Sequence, residues 1–458
     1  MINHLLFATV LAVAAVGCRE TPAAECGATI YRSRAAARAV ILDDARLDAV
    51  YARAEDLRPL RSLLVFQGDS LRRERYFSGA RAEQPANIKS ASKTIISALV
   101  GMALARGQLR DVRQPLSELL PAETRGLDSM RRAITLEDLL TMRTGLRSTS
   151  FDMYGEFVSS RNWVSHALTR PVVASRGEGA PMIYSTGSTH LLSAVLTRAT
   201  KQTTWAFARR SLTPLGIRLR HWTTDPQGVY FGGNEMRMTP REMLAFGRMY
   251  LDGGRAPDGT QVLPRAWIDS SWVPRTTSNW SGNAYGYGWW IRESHGHRVY
   301  FAWGYGGQFI FVVPSASIVV VITSDPESAR RDGEHLGAVH GMVDELLAPG
   351  DQETGVGFNT SAVHDVARQM IPLRNTLSAC HDLIPPPGPD SCAGATTSPA
   401  SRTHGGGGGS TGGILMITDF DDWSASARGT LCPPSWPAGR GSRQATPWET
   451  GSWPHRSD

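Results

Sequence analysis

Lysine is nearly missing from this chain: Lys89, Lys93 and Lys201 are the only three among 48 basic residues. A guanidinium keeps its proton under any ordinary condition, whereas a lysine amine can be tuned into a base, so the lysines are the cations to question first. Cysteine is missing from the middle of the chain, with none between residues 27 and 379. That excludes disulfides and thiolate metal sites from the stretch. Long apolar runs are missing too. The run at residues 5–16 falls short of the ~20 residues that span a bilayer. No phosphate loop, dinucleotide fingerprint or internal repeat is present. His335 and His340 are five apart and do not share a helix face as metal ligands. The formal charge of +6 and pI near 9.2 come from scattered arginines with no basic run interleaved with aromatics, which argues against a nucleic-acid partner.

What is there begins with an apolar N-terminus ending in Ala15-Val16-Gly17-Cys18. Residues 1–26 read as an export signal, although no Lys or Arg precedes the apolar run. Two exits stay open: lipidation at Cys18, which would attach the protein to a membrane, or cleavage near Ala23-Ala24. Either implies a periplasmic or outer-surface protein. Residues 27–349 read as one domain. An Ala/Arg-rich helical pattern at 34–57 leads to a hairpin, strands 62–67 and 72–77 around Gly68-Asp69-Ser70. A mostly helical block at about 100–250 follows, including a helix that Thr239-Pro240-Arg241-Glu242 starts with cap, proline and capping glutamate. Strands are expected at 285–291, 298–301, 309–313 and 318–323, with a closing helix at 333–347. The order implies an α/β fold: a sheet flanked by helices, with an all-helical part inserted between its strands. Residues 350–458, rich in Gly, Pro, Ser and Trp, read as a low-complexity, disordered tail or as an end not native to the frame. Within it Gly408-Gly409-Ser410-Thr411-Gly412 spells a nucleophile elbow but lacks a preceding strand.

Three short stretches carry chemistry. In Ser90-Ala91-Ser92-Lys93 the serine precedes a strongly apolar helix at 94–104, so it is expected at a helix N-terminus, where free N–H groups favour developing negative charge. Lys93 lies one turn on, facing Ser90. Burial without a carboxylate would lower its pKa into the range of a general base. The bland alternative makes Ser90 a cap and Lys93 a solvated first-turn residue. Tyr184-Ser185-Thr186 opens a second helix; a tyrosine there can relay a proton if an ammonium lowers its pKa. Trp303-Gly304-Tyr305-Gly306-Gly307-Gln308 enters a strand with glycines that allow close approach to the backbone.

In this order the motifs resemble the serine β-lactamase and penicillin-binding-protein superfamily. The stretches IKSASKTIISALVGMALARGQL, ITLEDLLTMRTGL, IYSTGSTHLLSAVLTRAT and YGYGWWI are similar to its class C branch, which includes family VIII esterases and aminohexanoate-dimer hydrolases. The resemblance, over residues 60–347, implies an antiparallel sheet flanked by helices, an inserted helical domain, a site in the cleft between them and no cofactor. It implies Ser90 as acylated nucleophile, Lys93 as its base and Tyr184 as proton relay. It implies an oxyanion hole from the N–H groups of Ser90 and of the strand entry, with Gly307 expected there and Trp303, Gly304 and Gly306 lining it. Thr186 stands where β-lactamases carry Asn, as a substrate contact. The third motif lacks the Lys-Thr-Gly or His-Thr-Gly of β-lactamases, and so lacks a cation for a substrate carboxylate. The expected substrate is therefore a small ester or simple amide. A β-lactamase or D-Ala-D-Ala peptidase is the alternative, with a non-catalytic penicillin-binding relative or a cell-wall-binding module behind it.

Overall fold

The computed structural model describes residues 40–330 and 334–349; the expected export segment and tail lie outside them. Helix α1 (Asp44–Asp56) takes the later part of the Ala/Arg pattern, and residues 34–39 of that pattern lie outside the described residues. Asp43 caps it, its carboxylate accepting from Arg46 N. Before that cap the chain is held extended against strand β1, with Leu42 N donating to Gln67 Oε1 and Gln67 Nε2 to Val40 O.

β1 (Leu60–Gln67) and β2 (Ser70–Tyr76) form the expected hairpin. Their turn is tighter than expected, only Gly68-Asp69, with Gly68 at φ +64°. The chain then leaves the sheet through the two-residue strand β3 (Ala86–Asn87) for a series of helices. Three matter for the site: α2 (Ser92–Ala105), α3 (Thr186–Thr200) and α4 (Pro240–Leu251). Strand β4 (Arg237–Met238) pairs antiparallel with β3 just before α4. α4 starts where its sequence says, with Thr239 and Glu242 making a reciprocal capping box and Pro240 at the first position.

The chain returns to the sheet through β5 (Thr276–Thr277), β6 (Ala284–Tyr285), β7 (Trp290–Ser294), β8 (His297–Gly304), β9 (Gln308–Val313) and β10 (Ile318–Ser324). All eight strands of this sheet pair antiparallel, in the order β2-β1-β10-β9-β8-β7-β6-β5. β10 closing on β1 brings the two ends of the domain together, with the helical part inserted between β2 and β5. The expected single strand at 285–291 is two strands. Its glycines turn the chain, Gly288 at φ +76°, and Gly286 N donates to Trp289 O. Here the apolar run of tyrosines and tryptophans reads as a strand, and the glycines override it.

The central strands are buried on both faces, and alternation sorts their side chains into two cores. Leu64, Phe66, Ile310, Val312, Val319 and Val321 meet α4 and the helical block. Leu63, Val65, Phe309, Phe311, Val320 and Ile322 meet α1 and the closing helix α5 (His335–Leu347). Gly247 lets α4 lie close on the sheet: a Cβ there would stand 2.7 Å from Val319 Cγ1 and 2.8 Å from Ile310 Cγ2. No helix among the described residues is long and apolar enough to cross a membrane.

Candidate active site

Ser90 lies in a 3-10 turn, Lys89–Ala91, that runs straight into α2. It thus stands two residues ahead of the α-helix. Lys89 takes φ +50°, a left-handed conformation that a side chain adopts at a cost. Asn87 Oδ1 accepts from Lys89 N at 3.0 Å, and Ser92 Oγ donates to Lys89 O at 2.6 Å. Ala91 N donates back to Ile88 O at 3.1 Å. These local bonds present Ser90 half-buried on the turn.

Lys93 is 2% exposed. Its Nζ lies 3.1 Å from Ser90 Oγ, 3.3 Å from Thr186 Oγ1 and 2.7 Å from Gly233 O. None of these partners is a carboxylate. Burial lowers the ammonium pKa from 10.5 to about 7. Burial raises the Tyr184 phenol above the ordinary value of 10.0, outweighing the lowering influence of the Ser90 hydroxyl. Its ring lies under Lys93 Nζ, 5.0 Å from the centroid. The expected lowering of the tyrosine by an ammonium is therefore not found: burial drives both groups towards neutrality. The structure thus brings Ser90, Lys93 and Tyr184 together across 94 positions of sequence.

Thr186 does not face outward as a substrate contact. It is buried, with its hydroxyl 2.8 Å from Ser150 Oγ as well as bonded to Lys93, and its N–H donates to Ser150 Oγ at 2.8 Å. Its place is that of a support for the lysine. The neighbouring Ser148 Oγ donates to Tyr184 O at 2.7 Å, and Thr149 Oγ1 accepts from Gly187 N at 2.7 Å. Ser148-Thr149-Ser150 therefore braces the whole start of α3. Nothing in sequence marks that polar run as a brace, because its partners lie 36 to 38 residues away. Gly233 escapes sequence reasoning as well, and its signal is the glycine pair Gly232-Gly233. A Cβ on Gly233 would stand 2.6 Å from Thr186 Cγ2, so only glycine lets that carbonyl reach Lys93. On the other flank, Glu235 accepts from Asn87 Nδ2 at 2.7 Å and pairs with Lys89 Nζ at 3.4 Å. That makes Lys89 an ion-paired lysine, unlike Lys93.

The third motif forms the β8–β9 turn. Gly304 ends β8 against the turn that carries Ser90, where a Cβ would overlap Ile88 O. Gly306 and Gly307, at φ +73° and +89°, face the other way, towards Pro326, Ser324 and His335. Gly307 N donates to Gly304 O at 3.3 Å. The expectation that Gly307 supplies an oxyanion donor is thus corrected: its N–H is used inside the turn. Trp303, half-buried on β8, packs in an aromatic group with Trp280 and Trp290. Among the described residues no cluster of three or more His, Cys, Asp or Glu is arranged to hold a metal ion.

A family model described as Beta-lactamase matches residues 52–340. The chain is similar to 6-aminohexanoate-dimer hydrolase of Paenarthrobacter ureafaciens, 24% identical over 62% of this chain and 79% of that one. It is also similar to penicillin-binding protein 4 of Amycolatopsis lactamdurans, 26% identical over 52% of this chain and 71% of that one. Among solved structures, one assigned provisionally as a 6-aminohexanoate-dimer hydrolase from Bacillus anthracis shares the fold. It aligns at TM-score 0.55 and 18% identity over 69% of this chain and 85% of that one. The family match spans more than half of the 458 residues, and the chain belongs to the beta-lactamase family.

Proposed function

We propose that this hydrolase cleaves small esters or simple amides through an acyl-enzyme on Ser90. The observation that carries the reading is Lys93: a buried amine with a pKa of about 7, 3.1 Å from Ser90 Oγ, with no carboxylate to hold its proton. In the first half-reaction the Lys93 amine takes the Ser90 proton as Oγ attacks the carbonyl carbon. The Tyr184 phenol gives its proton to the departing oxygen or nitrogen and regains one from the Lys93 ammonium. Water then takes the place of the leaving group, and the same proton transfers run in reverse to release the acid and restore Ser90.

The oxyanion is assigned to the N–H groups of Ser90 and Tyr305. Gly304 O points into the β8–β9 turn, where it accepts from Gly307 N. In a trans peptide the N–H of the following residue is directed opposite to that carbonyl, so the Tyr305 N–H points away from β9. It leaves β8 one residue after Gly304, the position at which the strand packs on the Ser90 turn. Two backbone donors of this kind are what a developing oxyanion needs.

Esters and simple amides are favoured because the third motif offers tryptophan, glycine and tyrosine where a carboxylate-binding cation would stand. The amide reading draws support from the similarity to an aminohexanoate-dimer hydrolase, and a β-lactam reading from the similarity to a penicillin-binding protein. The apolar run before Cys18 supports export. A parallel assay with a p-nitrophenyl ester, a chromogenic cephalosporin and an aminohexanoate dimer ranks these substrates by kcat/KM. The ester is expected to lead, and Ser90→Ala to abolish turnover of all three. A cephalosporin turned over best would replace the favoured reading with that of a β-lactamase.

A further inference from the structure

Five aromatic rings from five separate segments meet beside the nucleophile. Tyr184 has Phe151 at 5.9 Å, Trp290 at 5.7 Å and Trp280 at 6.3 Å between ring centroids. Trp280 in turn meets Phe151 at 6.0 Å, Trp290 at 5.3 Å and Trp303 at 5.4 Å. Two of the rings, Phe151 at 48% and Trp280 at 36%, are among the few large hydrophobic side chains left exposed in the described residues.

Both exposed rings are held in place. Phe151 sits at φ +57°, an uncommon conformation for a bulky residue. It follows Ser150 directly, whose hydroxyl is fixed to Thr186. Trp280 rides on a small closed loop in which Ser278 N donates to Asn283 O at 2.9 Å and Gly282 N to Ser278 O at 3.0 Å. Rigid aromatic surface exposed at the mouth of a site binds apolar groups with little ordering cost.

We propose that these rings form a subsite for the leaving group of the substrate, taking an uncharged aryl or long alkyl alcohol or amine and rejecting a carboxylate. This rests on the acyl-enzyme reading, in which Tyr184 protonates the leaving atom. The rings gather around Tyr184, so the group attached to that atom lies against them. A carboxylate placed there would exchange its water for the negative faces of the rings, an uncompensated desolvation.

The test is a set of acetate esters with a common acyl group: 2-naphthyl, 4-carboxyphenyl and methyl acetate. The naphthyl ester is expected to exceed the carboxyphenyl ester in kcat/KM by about tenfold or more. Trp280→Ala and Phe151→Ala should each lower the naphthyl-to-methyl ratio by about tenfold, and Trp280→Lys should shift preference towards the carboxyphenyl ester. Thermal melts check that the variants are folded. Equal rates for the naphthyl and carboxyphenyl esters, or ratios unchanged in the variants, overturn the subsite while leaving the serine reading intact. Turnover that survives Ser90→Ala overturns both.

Discussion

A lysine serves as a base near neutral pH only if its environment discourages the proton, and at Lys93 burial does so. Three oxygens surround Nζ, from Ser90, Thr186 and Gly233, and each is neutral. Activity should therefore rise with pH through about 7 and level off above it, as the amine loses its proton. A pH profile of kcat/KM checks this, and a profile flat between about pH 5 and 9 would count against Lys93 as base. Lys93→Arg should lower kcat/KM by roughly 10³-fold or more, since Arg keeps the charge and cannot give up the proton. Tyr184→Phe should cost on the order of 10²–10⁴-fold, least with the best leaving groups, and a comparison of p-nitrophenyl and alkyl esters measures it. The pairing of Ser90 with Lys93 was legible in sequence because the lysines are so few and the helix after them so apolar. Their support was not. Ser150 and Gly233 reach the site from 57 and 140 residues beyond Lys93, and neither residue type announces such a contact.

At the scale of elements, what was legible followed local chemistry: the β1–β2 hairpin from its turn residues, and α4 from its cap, proline and glutamate. What was not legible depended on distant packing. The Tyr285–Trp290 stretch reads as a strand until α2 is placed beside it. Then Thr94 Oγ1 donates to Gly288 O at 2.6 Å and Ser97 Oγ to Tyr287 O at 2.7 Å, clamping a turn against the helix that carries Lys93. Gly304 shows the same dependence on a distant neighbour. Its missing side chain lets β8 close on the turn that holds Ser90, and a Cβ overlapping Ile88 O cannot be accommodated without backbone movement. Gly304→Ala should therefore lower kcat/KM by about 10²-fold, the scale expected of a misplaced catalytic group, and cost roughly 1–3 kcal/mol of stability. Kinetics and denaturant melts on the same preparation would separate the two effects. An active, fully stable variant would show that the contact is looser than the geometry states.

For the whole molecule, the site sets a pH dependence of stability. Lys93 titrates at about 7 when folded and near 10.5 when unfolded. Between those values the unfolded chain holds a proton that the folded chain does not, so stability rises with pH across the window. Below about 7 both states are protonated, and the full cost of charging the buried amine is felt. At ~1.4 kcal/mol per unit this amounts to several kcal/mol, an upper bound given that water and local relaxation reduce such costs. Above about pH 10 the trend should reverse. Burial raises Tyr184, Tyr250 and Tyr285, so the folded chain keeps phenolic protons that the unfolded chain loses. Lys93→Met isolates the first effect. It should be inactive and more stable than the parent at about pH 6, with the advantage shrinking steadily towards about pH 10. Denaturant melts of both proteins across that range measure the difference directly. A gap that stays constant with pH would mean that Lys93 keeps an ordinary pKa in the folded protein, and the proposed base would lose its physical footing.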